Sequence, residues 1–400
     1  MISVSEGQLI YWDNHSTTPL AKEVFDAMEP YLKEFFANPS SGHQPGLHVR
    51  RAIENARQTV AMLLGAAAEQ IIFTSGGTES NNLAIRSALH NPHPQHAIHH
   101  RPHLITTRVE HSSVRALAQT LEREGATKHH VTWLGVHADG TFNLDALDQA
   151  ITRQTTLVSI MWANNETGVL FPIEKIAAIC HQKKIPLHVD AVQIFGKQPI
   201  NLARLPIDYL SISGHKLHGP KGIGVLFARN PEALHPLILG GHQEQNHRGG
   251  TENVPGIVGL AVAARIAYEC MQTDAAYTQS LRDFFESEIL RIIPHVTING
   301  HPTERLGHTT NLSFAGISSE TLLLALDQRG VCASSASACT TGSVAPSYVL
   351  LAMGLPPDRA LNSIRFSFSR YNTREEIERV LSWLPQLVVD LRAKSPMKEF

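Results

Sequence analysis

The chain has few cysteines, no long run of apolar residues and no block of like charge. Its four cysteines are too few and too scattered for a disulfide framework or a zinc site, which favours reduced thiols. The 34 Lys and Arg nearly balance the 36 Asp and Glu, so no surface for nucleic acid is expected. No basic stretch followed by an apolar one opens the chain, and the longest apolar segment, at 256–264, ends at Arg265. We therefore predict a cytoplasmic protein that binds neither nucleic acid nor a membrane.

At 400 residues the chain is too long for one ordinary single-core domain. Between residues 70 and 228, short β-rich segments such as IIFT, HLITT and TLVSIMWA alternate with amphipathic helical segments. That alternation predicts an α/β fold around a large, mostly parallel sheet. Beyond residue 255 the pattern changes to long helical periodicity and then to a strand and a helix, which indicates a smaller α+β domain. We expect the large domain at 15–261 and the small domain at 1–14 and 262–400.

A glycine turn follows the first of these strands, in the segment IIFTSGGTESNNLAI. The turn leads into a helix whose first N–H groups and dipole can bind an anion, while Gly76 and Gly77 allow the main chain to approach it. Neither the Walker pattern nor the dinucleotide-binding pattern is present, so a single phosphate is the better fit. The alternative is an ordinary turn in which Thr78 caps the helix.

An acid and a lysine follow two later strands. Asp190 ends the segment IPLHVD, and IDYLSIS leads through Ser213 to Lys216. Such strand ends meet at the ligand-binding edge of an open α/β sheet. Pyridoxal phosphate requires a carboxylate for its pyridinium nitrogen and an amine for its Schiff base. Taken singly, Asp190 could be a helix cap and Lys216 a surface charge. Lys221 competes for the amine role, but it lies farther from the strand end.

Nine ordered segments resemble the cysteine desulfurases of the class V aminotransferase family, in particular those of the nitrogen-fixation and iron–sulfur-cluster type. The segments are TSGGTESNNLAI, VEHSSV, MWANNETG, HVDAVQ, SGHKLHGPKG, RGGTEN, SSASACTTGS, PSYVL and SIRFSFSRY. The resemblance covers most of the chain. It implies fold type I of the pyridoxal-phosphate-dependent aminotransferase-like enzymes and conversion of L-cysteine to L-alanine. The alternative is a related lyase or transaminase of the same cofactor group, such as a selenocysteine lyase.

The same resemblance implies a site for pyridoxal 5'-phosphate. The residues implied to contact this cofactor are Gly77, Thr78, His111, Asn165, Asp190, Gln193, Ser213, His215, Lys216 and Thr251. Lys216 would bind it covalently, Asp190 would pair with the ring nitrogen, and His111 would stack on the ring and move protons. Thr251 would come from the neighbouring subunit, which implies a homodimer with shared active sites.

Two residues are implied to contact the substrate. They are Asn165 and Arg365, and Arg365 would grip the substrate carboxylate with its planar guanidinium. Within the chain, this arginine lies in the segment SIRFSFSRY.

Cys339 lies in SSASACTTGS, a segment of small and polar residues that predicts a loop. The resemblance implies that its thiolate accepts the substrate sulfur as a persulfide and passes it to a sulfur acceptor or an iron–sulfur scaffold protein. The same thiol is a candidate transient ligand of an iron–sulfur cluster, while no resident metal is expected. Cys332 matches no such role. Burial in a core is the expectation for Cys180 and Cys270.

The sequence departs from the family pattern at two places. Ala336 stands where the family usually has glycine, and Asn14-His15-Ser16 replaces the more usual Asn-Asn-Ala. Neither change removes a catalytic group, although Ala336 is expected to stiffen the segment that carries Cys339.

A histidine-rich segment at 90–103 matches no known role. A polyproline helix would align His90, His93, His96 and His99 as a metal-binding strip, but an inserted surface loop is the simpler interpretation. A sulfur carrier or metal-binding scaffold without catalysis is a further alternative for the whole protein. The presence of a lysine, an acid and a histidine at the implied cofactor site disfavours it.

Overall fold

A computed structural model describes residues 9–90, 101–124, 129–335 and 345–395 of the protein. The strands are β1 Ile10–Tyr11, β2 Ile71–Thr74, β3 His103–Thr107, β4 His130–Leu134, β5 Thr155–Met161, β6 Leu187–Asp190, β7 Tyr209–Ser213, β8 Gly224–Ala228, β9 Val296–Ile298, β10 Thr309–Phe314, β11 Val331–Cys332, β12 Ser334–Ser335 and β13 Ser363–Ser367. The helices are α1 Lys22–Lys33, α2 Gln44–Leu64, α3 Gly77–His90, α4 Ser112–Arg123, α5 Leu144–Ala150, α6 Ile173–Gln182, α7 Val254–Glu269, α8 Met271–Ile292, α9 Ser319–Asp327, α10 Tyr348–Ala352, α11 Pro357–Leu361, α12 Arg374–Leu381 and α13 Leu384–Lys394.

The large sheet has the strand order β2-β8-β7-β6-β5-β3-β4. Strand β8 is antiparallel to both neighbours and the other pairs are parallel, so the predicted α/β fold with a mostly parallel sheet is confirmed. Only residues 214–223 connect β7 to β8, and this is too short for the crossover that a parallel pair needs. Because β2 also runs opposite to β8, the carboxyl ends of β2, β5, β6 and β7 lie at one edge of the sheet.

A second, antiparallel sheet has the order β12-β13-β10-β9. Its core is aromatic, because the fully buried Trp12 contacts the rings of Phe285, Phe366 and Phe368 edge-on, with centroids 5.2, 6.2 and 5.4 Å away. Helices α8, α9, α12 and α13 add apolar side chains to this core. Such edge-to-face aromatic contacts add to the stabilisation from burial.

The first described residues connect the two sheets. Strand β1 pairs in parallel with β11, and Asp13 forms a bridge to Ser367. Farther along, the Thr18 amide and hydroxyl both donate to the His215 carbonyl oxygen, at 3.0 and 2.9 Å. The N-terminal segment therefore runs from the small sheet to the edge of the large one.

Helices α7 and α8 meet at a bend of 73°. Among the described residues no single helix is long and apolar enough to cross a membrane, and only this bent pair reaches the required length and apolarity together. The core of the large sheet also takes in Leu306, Val349 and Met353. The domain boundaries at 14/15 and 261/262 stay a prediction.

Candidate active site

A cavity of about 310 Å³ lies at the edge where the carboxyl ends of β2, β5, β6 and β7 meet. Ten of the residues predicted from the sequence line it, and they are Gly77, Thr78, His111, Asn165, Asp190, Gln193, Ser213, His215, Lys216 and Arg365. They come from widely separated parts of the chain. The sheet topology therefore brings them together as expected for strand ends at one edge.

The glycine turn lies beside the end of β7, because Gly224 on β8 is paired with both Thr74 and Ser213. A side chain on Gly224 would place its Cβ 2.6 Å from the Gly76 Cα, and one on Gly77 would place it 2.6 Å from the Val192 Cγ2. Glycine at these positions thus permits the close approach of the turn to its neighbours. Helix α3 begins at Gly77, so its first N–H groups lie at the cavity wall.

Asp190 and His111 are joined by two side chains that sequence reasoning missed. The Asn81 amide donates to the Asp190 carboxylate at 2.7 Å and to the Ser113 hydroxyl at 2.8 Å. Ser113 lies in turn 2.8 Å from the His111 Nδ1. All but His111 are buried, so this chain fixes the carboxylate and the imidazole in one rigid network.

The His111 ring is neutral in this setting. Burial, opposed in part by the Asp190 carboxylate, lowers the pKa of His111, and the Lys216 ammonium lowers it further. Its Nδ1 accepts the Ser113 amide at 3.2 Å and caps helix α4, which leaves the ring proton on Nε2. A neutral histidine of this kind can accept or pass on a proton near neutral pH.

Lys216 lies in a short 3-10 turn, Gly214–Lys216, directly after β7. Its Nζ donates to the carbonyl oxygens of His15 and Ser16 at 2.7 and 2.5 Å. Lys221, the competing lysine, is exposed and donates to the Thr18 carbonyl oxygen at 3.0 Å. Of these two amines only Lys216 lines the cavity, which favours it as the reactive lysine.

His215, next to Lys216, is also neutral. Burial and the Lys216 ammonium lower the pKa of His215 to about 3, and its Nδ1 lies 3.1 Å from the Thr17 hydroxyl. A neutral imidazole can offer a phosphate an N–H group but no charge.

Arg365 is held by two oxygens, while its Nε has no partner among the described residues. Its Nη1 donates to the Asn165 carbonyl oxygen at 2.7 Å and its Nη2 to the Asp13 carboxylate at 2.9 Å. The buried Nε has no hydrogen-bond partner among the described residues, and the same is true of the Asn165 side-chain oxygen. A carboxylate entering the cavity would therefore meet an oriented guanidinium with unused hydrogen-bonding capacity.

One predicted residue, Thr251, does not line the cavity, because it is in the exposed segment before α7. The role that the resemblance implies for it, across a subunit boundary, stays a prediction. Cys339 lies outside the described residues, as do Ala336, His93, His96 and His99. Their predicted roles stay predictions.

The other three cysteines differ in burial. Cys180 is buried, and burial raises its thiol pKa to about 12, as expected for a core cysteine. The expectation of core burial is wrong for Cys270, which is only half-buried because it occupies the bend between α7 and α8. Cys332 is half-buried in β11, and burial also raises the pKa of its thiol. Its strand position fits the expectation that it is not the acceptor.

Some of the missed residues had a signal in the sequence. Asn81 lies three and four positions after Thr78 and Gly77, which places it on the same helix face as the predicted phosphate turn. Asp13 had none, since its partner Arg365 is 352 positions away.

Comparisons with known proteins show the family and similar folds. The model of the family "Aminotransferase class-V" matches residues 10–380. "Cysteine desulfurase 2" of Trichormus variabilis is 49% identical over 388 residues, covering 97% of this chain and 95% of the relative. A solved "NIFS-LIKE PROTEIN" superposes with a TM-score of 0.88 at 35% identity, over 96% of this chain and 100% of its own. The structure described as "SspA in complex with cysteine" has a TM-score of 0.78 at 35% identity, over 91% and 100% of the two chains.

Proposed function

The chain belongs to the class-V aminotransferase family, and on that premise we propose that it is a cysteine desulfurase, which converts L-cysteine to L-alanine and carries the sulfur as a persulfide on Cys339. The observation that carries the proposal is the single cavity in which Lys216, Asp190 and Arg365 meet. A lysine, an acid and an arginine in such a cavity supply the groups needed to hold pyridoxal phosphate and an amino-acid carboxylate.

The residues of the cavity fit pyridoxal phosphate. The α3 N-terminus with Thr78, Ser213 and the neutral His215 would hold the phosphate, since glycine keeps this wall close to the sheet. The buried Asp190 would pair with the ring nitrogen. The Asn165 side-chain oxygen is buried and has no partner in the described part of the chain. It would therefore accept a hydrogen bond from the cofactor or the substrate.

Each remaining side chain has one task. Pyridoxal phosphate, when bound, supplies an aldehyde that takes up amines and a ring that accepts electron density. Lys216 would provide the amine that holds the cofactor, and it would leave the His15 and Ser16 carbonyl oxygens to do so. Gln193 would approach the ring hydroxyl. Arg365 would orient the substrate carboxylate through its guanidinium, whose Nε has no partner among the described residues.

His111 would move protons. Its ring is neutral and tied to Asp190 through Ser113 and Asn81, so it can accept a proton without leaving its place. This network fixes where the imidazole lies relative to the carboxylate.

The sulfur step requires a thiolate. The Cys339 thiolate would attack the substrate sulfur, so that an S–S bond forms, the substrate C–S bond breaks and its electron pair stays with the substrate carbon. That carbon takes up a proton and becomes the methyl group of alanine. The thiol must be reduced before it attacks, which is why we assign the enzyme to the cytoplasm.

We also propose a homodimer in which Thr251 of one subunit completes the phosphate site of the other. Two large apolar side chains support such a dimer, because Phe36 and Leu239 are 84% and 82% exposed in the single chain. A partner subunit would remove such side chains from water. Sulfur would pass to an acceptor or an iron–sulfur scaffold protein, as the resemblance to the iron–sulfur-cluster type implies.

The test is a comparison of Cys339→Ser with Cys332→Ser. Alanine and sulfide release from L-cysteine should stop in Cys339→Ser, because a hydroxyl is scarcely ionised near neutral pH, whereas Cys332→Ser should keep most of its activity. Mass spectrometry should find the extra sulfur on Cys339 of the wild type. Normal turnover by Cys339→Ser, or a persulfide on Cys332, would show that the sulfur step is wrong.

The same assay separates the alternatives. A transaminase needs no accepting thiol, so it would form no alanine together with a persulfide. A scaffold without catalysis would show no visible cofactor absorbance that borohydride bleaches.

A further inference from the structure

A second cavity, of about 270 Å³, lies behind Lys216. Lys216 belongs to the walls of both cavities, so the two are neighbours. The walls of the second cavity come from the turn at 196–198, the first half of α8, and the segments at 305–308 and 368–370. None of the groups in the proposed reaction, apart from Lys216, uses this space.

Lys197 is a wall residue that has no counter-charge within the described part of the chain. Its Nζ donates only to the Gln193 carbonyl and side-chain oxygens, at the long distances of 3.2 and 3.4 Å. No carboxylate of the described residues forms an ion pair with it. Burial, with repulsion from Lys216, lowers the pKa of Lys197 to about 7. An anion that enters the cavity would therefore stabilise the protonated form of Lys197.

The carboxylates near the cavity are already paired. Glu286 receives both Nη groups of Arg305, at 2.7 and 2.6 Å. Asp274 pairs with Arg370 at 2.8 Å. These ion pairs neutralise their own charges, so neither of these carboxylates is left to pair with Lys197.

Two more buried nitrogens have no hydrogen-bond partner among the described residues. The Nη1 of Arg282, on α8, is buried without a hydrogen bond among the described residues, and so is the Nε2 of His308. His308 lines the cavity, and burial together with Lys197 and Arg282 lowers its pKa well below the usual value, so its ring is neutral. His218, on the same wall, is also neutral, because burial lowers its pKa to about 4. The His218 Nδ1 already donates to the Pro19 carbonyl oxygen at 3.1 Å, so this ring offers the cavity no N–H group. The surroundings thus offer positive charge and one orphaned acceptor, the Asn14 Oδ1, while the described carboxylates Glu286 and Asp274 are paired.

We propose that the cavity behind Lys216 binds a compact oxyanion, a sulfate, a phosphate or a small carboxylate, with Lys197 as its main cationic contact. The volume admits a group of this size with room for water. The proposal does not depend on the desulfurase activity, since it rests on Lys197 and the cavity that this residue lines. It has a consequence for that activity, because an anion there would stabilise the protonated forms of both lysines.

Labelling of Lys197 tests the proposal directly. The cofactor-loaded enzyme is treated at pH 7 with limiting dinitrofluorobenzene, and the label on each lysine is read by mass spectrometry. Sulfate, phosphate and acetate are titrated in separate arms against chloride at constant ionic strength. An anion that raises the Lys197 pKa from about 7 to about 8 would cut the unprotonated amine from about half to about a tenth, so labelling should slow about fivefold and saturably.

Controls separate a site from general screening. Exposed Lys175 should label at an unchanged rate in every arm. The separate titrations identify the class of anion that binds. Protection by sulfate and phosphate alone indicates an inorganic oxyanion, and protection by acetate indicates a carboxylate. Calorimetry should detect the protecting anion with wild type and Lys197→Arg but not with Lys197→Met. Three results would overturn the proposal, whether or not the enzyme desulfurates cysteine. They are protection of Lys197 that does not saturate, equal protection of Lys175, and no protection of Lys197 by any of the three anions.

Discussion

Lys216 is held by two main-chain carbonyl oxygens, from residues 201 and 200 positions earlier in the chain. These contacts orient the amine toward the cavity without packing it into a core. We expect Lys216→Ala to stay folded yet to lose the visible absorbance of the lysine-bound cofactor, because the amine is needed for the covalent link and not for burial. Circular dichroism and an absorbance spectrum after reconstitution measure both effects.

Lys221→Ala is the matched control. It removes an exposed amine that binds the Thr18 carbonyl oxygen, so the absorbance should remain. A borohydride-bleachable band that survives in Lys216→Ala and vanishes in Lys221→Ala would move the reactive lysine to position 221.

Two buried acids give the fold a pH dependence. Burial raises the pKa of both Glu110 and Glu166 to about 8. Glu166 receives a short hydrogen bond from Ser347, and Glu110 receives the Thr107 hydroxyl at 2.7 Å. Because the folded-state pKa lies above the unfolded value near 4.5, folding favours the protonated acids. Their contribution to the free energy of unfolding is therefore complete at low pH and is lost as the pH rises through about 8.

Glu166→Gln tests this sign, because glutamine keeps the shape of the protonated acid. We expect the variant to be about 1–3 kcal/mol more stable than wild type at pH 9 and similar to it at pH 5. Urea denaturation at the two pH values measures the difference. An advantage for the variant at pH 5 that disappears at pH 9 would reverse the assignment.

Site residues that follow strand ends could be predicted from the sequence. Contacts between residues far apart in the chain could not. Asp190, Lys216 and Gly77 follow strands whose carboxyl ends share an edge, so their meeting could be predicted. Asp13 and Lys197 owe their importance to tertiary contacts, with Arg365 in one case and with the second cavity in the other. No local pattern encodes such contacts.

At the scale of elements, the segment before α7 carries a run of strained residues. Glu244, Gln245 and Asn246 all have left-handed backbone angles, with φ of 45°, 56° and 70°. Arg57 on α2 holds this run through a bidentate pair with Glu244 at 2.7 and 2.8 Å, and Glu244 also accepts the Phe73 amide. Both partners are almost fully buried. The pair therefore fixes the segment that leads to Thr251 in a conformation that it would not adopt alone.

Glu244→Gln would remove the buried counter-charge of Arg57 and leave it only the half-exposed Glu54 carboxylate, at 3.3 Å. We expect a loss of about 3–5 kcal/mol in the free energy of unfolding and faster release of the cofactor, because the segment bearing Thr251 loses its anchor. Chemical denaturation and gel filtration of the loaded enzyme measure the two effects. The exposed pair Arg265–Glu269 is the control, and Glu269→Gln there should change stability by less than about 1 kcal/mol. Equal effects of the two substitutions would contradict the anchoring role.

The strand directions could also be predicted in part. Alternating strands and helices indicated parallel pairing, and this holds for β3 to β7. The reversal of β8 follows from the short link after β7, a feature visible in the sequence only once the end of β7 is known. The small sheet was harder to predict, because β9 and β12 are only three and two residues long.

For the whole molecule, the proposed homodimer makes a prediction about mixed subunits. Lys216→Ala should lack the reactive amine, and Thr251→Asp should place a carboxylate against the phosphate in the partner's site. Refolding the two inactive variants together should restore about a quarter of the wild-type activity, because half of the dimers would be mixed and each would contain one intact site. Alanine formation measures the recovery.

Mixtures of Lys216→Ala with Asp190→Ala serve as the control. Lys216 and Asp190 of a given site come from the same subunit. Each site of a mixed dimer therefore carries one of the two changes, and no intact site can form. No recovery with Thr251→Asp, although mass measurement finds mixed dimers, would show that Thr251 does not act across subunits.

The link between β1 and the small sheet has a consequence for biosynthesis. All strands of the large sheet have been synthesised once the ribosome reaches residue 228. The residues that Ile10 and Trp12 contact, at 331–332 and 366–368, have not yet been made at that point. At about 5–20 residues per second, the apolar N-terminal segment waits for roughly 7–28 s until residue 368 is made. His15 and Ser16, whose carbonyl oxygens hold Lys216, are flanked by the same segment. A nascent chain can thus complete its largest sheet well before its active site, and the last strand synthesised sets the moment at which the enzyme becomes competent.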